Sequence, residues 1–175
     1  EYGGGSGIMS GESVIAADGH APLDEPNIDV KQQENEDLAV QAQEDSLFQQ
    51  VAQEVKKAVM NIPQLQMMLK NLVIEVTPEG LRIQVVDSGD RPLFPNGGTE
   101  MYPYTKQMLG VIAGVLGRLP NSLAIGGHTD VVPYRGDRPA YTNWNLSSER
   151  ALAARNVLVE QGIADKRIAR VAGYA

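Results

Sequence analysis

Apolar residues at Phe48, Val51, Ala52, Val55, Ala58, Val59 and Ile62 follow the i, i+3, i+4, i+7 spacing of a single helical face. The composition already favours helix from Glu34. Pro63 interrupts the face, and Leu65, Met68, Leu69 and Leu72 resume the same spacing, which predicts a short second helix. Met60, Met67 and Met68 are expected to serve core or helix packing. The period then shortens to that of a strand. Ile74 and Val76 alternate with Glu75 and Thr77, Leu81, Ile83 and Val85 alternate with Arg82 and Gln84, and Pro78-Glu79-Gly80 supplies a turn. This is a β-hairpin.

Further along, "DSGDRPLFPNGGTE" is a turn-rich connection. Met108, Ile112, Val115 and Leu119 mark an amphipathic helix that stops before Pro120-Asn121, and "SLAIGGH" reads as a short buried strand. A polar loop leads to a helix predicted from about Ser148 to Gln161, with Ala151, Ala154 and Leu158 toward the core and Gly162 at its stop. "RIARVAGY" is the last strand. The order is β-β-α-β-α-β over residues 71–175, an α/β (α+β) sandwich with helices on one face of a small sheet. An amphipathic helical segment, 34–70, precedes it. Residues 1–33, rich in Gly and small polar residues with no sustained period, read as a flexible linker spanning roughly 30 Å, and His20 within it as a solvated side chain.

Charge sharpens the division. The net charge is −7, but residues 1–54 hold twelve acids against Lys31 alone, whereas 55–175 hold ten acids and fourteen bases. The acidity belongs to the N-terminal third. Nucleic acid is not a suggested partner, because the bases are scattered and few aromatics lie among them. With no cysteine there is neither disulfide nor thiolate metal site. No apolar run approaches the roughly 20 residues that span a bilayer. The chain opens on Glu1 and closes on a strand ending, and it reads as cut at both ends.

The loop "GGHTDVVPYRGDRPAYTNWNLSSERALAARN" carries the candidate chemistry. Leu146-Ser147 resembles a hydrophobic residue followed by an N-cap, which would put Arg150 in the first helical turn. First-turn amides with a guanidinium make an anion site, and carboxylate suits the guanidinium fork. Asp130, just past the strand, would face the same gap. Together they suit a zwitterion, its ammonium on Asp130 and its carboxylate on Arg150. An internal Asp130–Arg150 salt bridge is the alternative, and the pattern of residues leaves both open. His128 and Asp130 lack a third metal ligand, since the other histidine is His20. Ser147 and Ser148 are better used as cap and first-turn residues than as nucleophiles, so a non-catalytic role is expected.

"GGHTD", then "NWNLSSERA", then "GI..KRI..VAGYA" resembles the OmpA-like peptidoglycan-binding family, whose separated motifs occur in this order. The resemblance implies a small mixed sheet and no cofactor. It also implies binding of the peptidoglycan stem peptide through the diaminopimelate zwitterion. On that likeness Asp130 and Arg150 hold the ligand, while Thr129, Asn143, Leu146 and Ser147 line the site or shape its wall. The long loop "VVPYRGDRPAYTNW" and the upstream "EGLRIQVVDSGDRPLFPNG" are similar to the flagellar-motor stator anchors of the family. That likeness implies the periplasmic portion of a single-pass inner-membrane protein, a homodimer, and a MotA-type channel subunit as partner. Another OmpA-like envelope anchor, of a lipoprotein, porin or secretion system, is the alternative.

Overall fold

The computed structural model describes the backbone of residues 27–136 and 138–175, so the expectations for residues 1–26, His20 included, lie outside the described residues. The chain divides into two compact units, Glu1–Leu38 and Ala39–Ala175. In the first, the described residues are helical, and those from Gln32 onward are exposed. Their helix, α1 (Asn27–Met60), runs on into the second unit. It begins ahead of Glu34, inside the stretch read as linker.

In the second unit the predicted face of α1 is the buried one: Phe48, Val51, Ala52, Val55 and Val59 all lie in the core. Pro63, with its φ preset and no N–H to lose, opens the single-turn helix α2 (Pro63–Gln66). The second helix is shorter than its spacing suggests. A 3-10 turn follows at Leu69–Asn71, and Leu72 already begins strand β1 (Leu72–Thr77). Of the three methionines only Met68 is buried, while Met60 and Met67 are exposed. Strand β2 (Gly80–Val85) pairs with β1 in antiparallel register, Ile74 opposite Ile83. Gly80, at φ +121, takes the turn conformation that a side chain would resist.

Helix α3 (Pro103–Leu116) joins the parts of the core. Met108, Ile112 and Val115 pack with α1, α2 and the β1–β2 hairpin, and Ala113 packs with Leu158, Ile163, Leu123, Ile125 and Ile168. Strands β3 (Leu123–His128) and β4 (Ile168–Tyr174) form a parallel ladder, with helix α4 (Asn143–Glu160) between them in the chain. Among the described residues the four strands make two ladders, β1–β2 and β3–β4, instead of the single mixed sheet expected. β3 is also less buried than its composition suggests. Gly127 alone is buried, and Ala124, Gly126 and His128 are exposed, because α4 lies on one face of the ladder and solvent on the other. No described helix is long and apolar enough to cross a membrane.

Candidate functional site

Two glycines set the distance between strand and helix. Gly127 and Gly173 are neighbours in the β3–β4 ladder. A Cβ on Gly127 would collide with the Ser147 carbonyl oxygen and stand 2.7 Å from the Ala151 nitrogen; one on Gly173 would collide with Ser148. α4 therefore rests on bare backbone, and the segment after β3 is brought against the start of the helix.

That start differs from the expected one. α4 begins at Asn143, with Thr142 as N-cap, well ahead of Ser148. The Asn145 side-chain oxygen accepts the Thr142 backbone N–H at 2.9 Å and the Thr142 hydroxyl at 2.9 Å, a closure of the capping-box kind. Ser147 is thus no cap. It lies fully buried within the helix and donates its hydroxyl to the Trp144 carbonyl at 3.1 Å, and Ser148 donates to the same oxygen at 2.8 Å. Arg150 is two turns inside the helix, so the free amides of the first turn do not assist it.

The candidate residues divide by exposure. Asp130 is exposed just beyond β3, and Arg150 is half-buried on α4. Asn143 fixes the loop between them, donating through Nδ2 to the carbonyls of Asp130 at 3.0 Å and Val132 at 2.8 Å. Leu146 and Ser147 are buried in the seat of the helix. Thr129 donates its backbone N–H to the Tyr174 carbonyl at 3.3 Å. Its hydroxyl oxygen is buried and has no hydrogen-bond partner among the described residues. His128 stacks on Tyr174, ring centroids 4.8 Å apart.

Arg150 is held by residues that the motif does not contain. Its Nε donates to the Gly98 carbonyl at 3.1 Å, its Nη2 to the Pro95 carbonyl at 3.4 Å, and its guanidinium carbon lies 4.7 Å from the Phe94 ring centroid. Burial pulls its pKa below the ordinary value, opposed by the charges of Asp87, Asp130 and the Tyr141 phenol in that order. Among the described residues no carboxylate oxygen pairs with Arg150 within 4.0 Å, so the internal Asp130–Arg150 bridge is not formed. A cation is therefore held partly out of water by two carbonyl oxygens and the Phe94 ring, with its Nη1 lacking a protein acceptor among those residues. Such a group can accept an anion as a further partner.

Phe94, Pro95 and Gly98 escaped the sequence reading because they stand more than fifty residues from Arg150 in the chain. A hollow of about 420 Å³ lies between α1 and β1. Gln49, Gln53, Lys56, Ile74 and Val76 are among its lining residues, which include no carboxylate to pair with an ammonium, so Asp130 and Arg150 remain the better candidates.

Residues 93–175 match the OmpA family. Motility protein B of Escherichia coli K12 is 34% identical over 172 residues, covering 98% of this chain and 56% of that protein. The flagellar export/assembly protein LafU of E. coli O44:H18 is 39% identical over 105 residues, 60% of this chain and 34% of that protein. The chain thus spans about half the length, or less, of these curated relatives. Among solved structures, a MotB-like protein from Desulfovibrio vulgaris shares the fold, with a TM-score of 0.61 over 77% of this chain and 82% of that one at 18% identity.

Proposed function

The chain carries an OmpA-family domain at residues 93–175 and is related along most of its length to motility protein B, and on that premise we propose that it is a non-catalytic anchor to peptidoglycan. The ligand is the diaminopimelate zwitterion of an uncross-linked stem peptide. Asp130 receives its ammonium, and Arg150 grips its carboxylate. Thr129 and Asn143 shape the loop between them, and Leu146 and Ser147 seat the helix.

The observation that carries this reading is the half-buried Arg150 guanidinium, which pairs with no carboxylate among the described residues. An internal salt bridge would have consumed it; a ligand carboxylate would complete it. The likeness to motility protein B supports a wider role, proposed on the same footing. As the periplasmic portion of a single-pass inner-membrane protein, the domain fixes a flagellar stator to the wall, as a homodimer with a MotA-type channel subunit. Torque on a rotor needs a stationary point of reaction, and a covalent wall supplies one.

Co-sedimentation with purified sacculi tests the proposal. Wild type is expected to pellet with sacculi and to release no muropeptides. Arg150→Ala and Asp130→Asn should lose roughly ten- to a hundred-fold in affinity, the worth of a charged hydrogen-bonded pair. Release of muropeptides, or full binding by both variants, would refute it.

A further inference from the structure

The guanidinium of Arg150 is aimed by a closed ring of contacts. Its two carbonyl partners bracket a turn in which the Gly98 N–H donates to the Pro95 carbonyl at 2.9 Å. Within that turn Gly97, at φ +63, lies against Tyr134, and a Cβ there would stand 3.2 Å from the ring. Tyr134 packs on Tyr141, centroids 4.6 Å apart and planes tilted by 60°. The Tyr141 hydroxyl donates to Glu149 at 2.9 Å, and Glu149 precedes Arg150 on α4. Arg138 braces the closure, its guanidinium carbon 3.9 Å from the Tyr141 ring centroid and its Nη1 3.6 Å from the Glu149 carboxylate.

We infer that Tyr141 and Glu149 are positioning residues for the ligand site: their hydrogen bond latches Tyr141, and the Tyr134 ring packed on it, against the 94–98 turn, and that turn holds the Arg150 guanidinium in its binding orientation. A free arginine samples many rotamers, and fixing it before the ligand arrives removes that entropic penalty from binding. The latch has a second effect. It engages the Glu149 carboxylate with Tyr141 and Arg138, away from the neighbouring Arg150. The consequence for binding rests on the proposed ligand reading, whereas the effect on Arg150 does not.

The test uses the whole chain with Tyr141→Phe, Glu149→Ala and Glu149→Gln. Its first readout is solvent exchange of the Arg150 Nε–H by NMR, the signal being identified by its loss in Arg150→Lys. Its second is sacculus affinity. Tyr141→Phe and Glu149→Ala are expected to speed exchange and weaken binding by roughly ten-fold each, the scale of one hydrogen bond. Glu149→Gln, whose amide oxygen still accepts the Tyr141 hydroxyl, should stay near wild type. In an Arg150→Ala background Tyr141→Phe should cause no further loss of binding. Unchanged exchange in both Tyr141→Phe and Glu149→Ala overturns the inference whether or not sacculi bind. Equal effects of Glu149→Gln and Glu149→Ala also overturn it, since they would assign the role to charge on Arg138. Faster exchange in a chain that never binds sacculi would uphold the latch and refute the ligand reading instead.

Discussion

At Arg150 the fold keeps a guanidinium partly dry with two carbonyls and an aromatic ring. The stack on Phe94 contributes about 0.5–2 kcal/mol, and the carbonyl bonds fix the direction of the fork. Lysine has a point charge and no plane, so it cannot reach both carbonyls, lie on Phe94 and still offer a second donor pair. Arg150→Lys is therefore expected to weaken sacculus binding by roughly ten-fold or more and to lower the thermal midpoint by a few degrees. Equal affinity would show that charge alone suffices. Tyr141 gives a prediction in pH. Burial first, then the hydrogen bond and charge of Glu149, raise its pKa above the ordinary 10.0, with Arg138 partly opposing. A raised phenol pKa favours the neutral form in the folded state. The latch therefore contributes fully below the ordinary tyrosine value and fails as pH rises through the higher folded one. A spectroscopic titration of wild type against Tyr141→Phe should show this tyrosine ionising late. Ionisation at the ordinary value would contradict the half-buried, bonded phenol.

Among the elements, α4 on its glycine seat decides whether the site exists. Gly127→Ala would force the helix off β3 at the Ser147 carbonyl, at an overpacking cost of about 1–3 kcal/mol. Because the displaced helix carries Arg150, binding should fall even where the domain still folds. Intact affinity in a folded Gly127→Ala chain would show that helix position is not limiting. Thr142→Ala should destabilise by about 1 kcal/mol in chemical denaturation, and no loss would return the cap to another residue. The hairpin and the buried face of α1 were legible because side-chain periodicity records burial directly. The start of α4 was not. Leu146-Ser147 imitates a staple and cap, whereas the true signal, Thr142 with Asn145, uses the shorter Asn side chain in place of the usual Glu or Gln. Asp130 and Arg150 stood out by motif, but the turn that holds Arg150 is joined to it only by long-range contact, which no local pattern encodes.

Across the whole molecule, charge and architecture divide at similar places. The acidic N-terminal third lies outside residues 93–175, which match the OmpA family, and the second compact unit begins at Ala39. A chain of residues 39–175 is therefore expected to fold and to keep wild-type sacculus affinity, and loss of either would give the first unit a part in the site. The most direct measurement is a calorimetric titration of the chain with three stem peptides: one with the free diaminopimelate head, one with its head carboxylate amidated, and one with its head amine acetylated. Wild type should prefer the free head by roughly ten-fold or more over each blocked form. The amide penalty should vanish in Arg150→Ala, and the acetyl penalty in Asp130→Asn. Equal affinity of wild type for all three peptides would contradict the account at its centre.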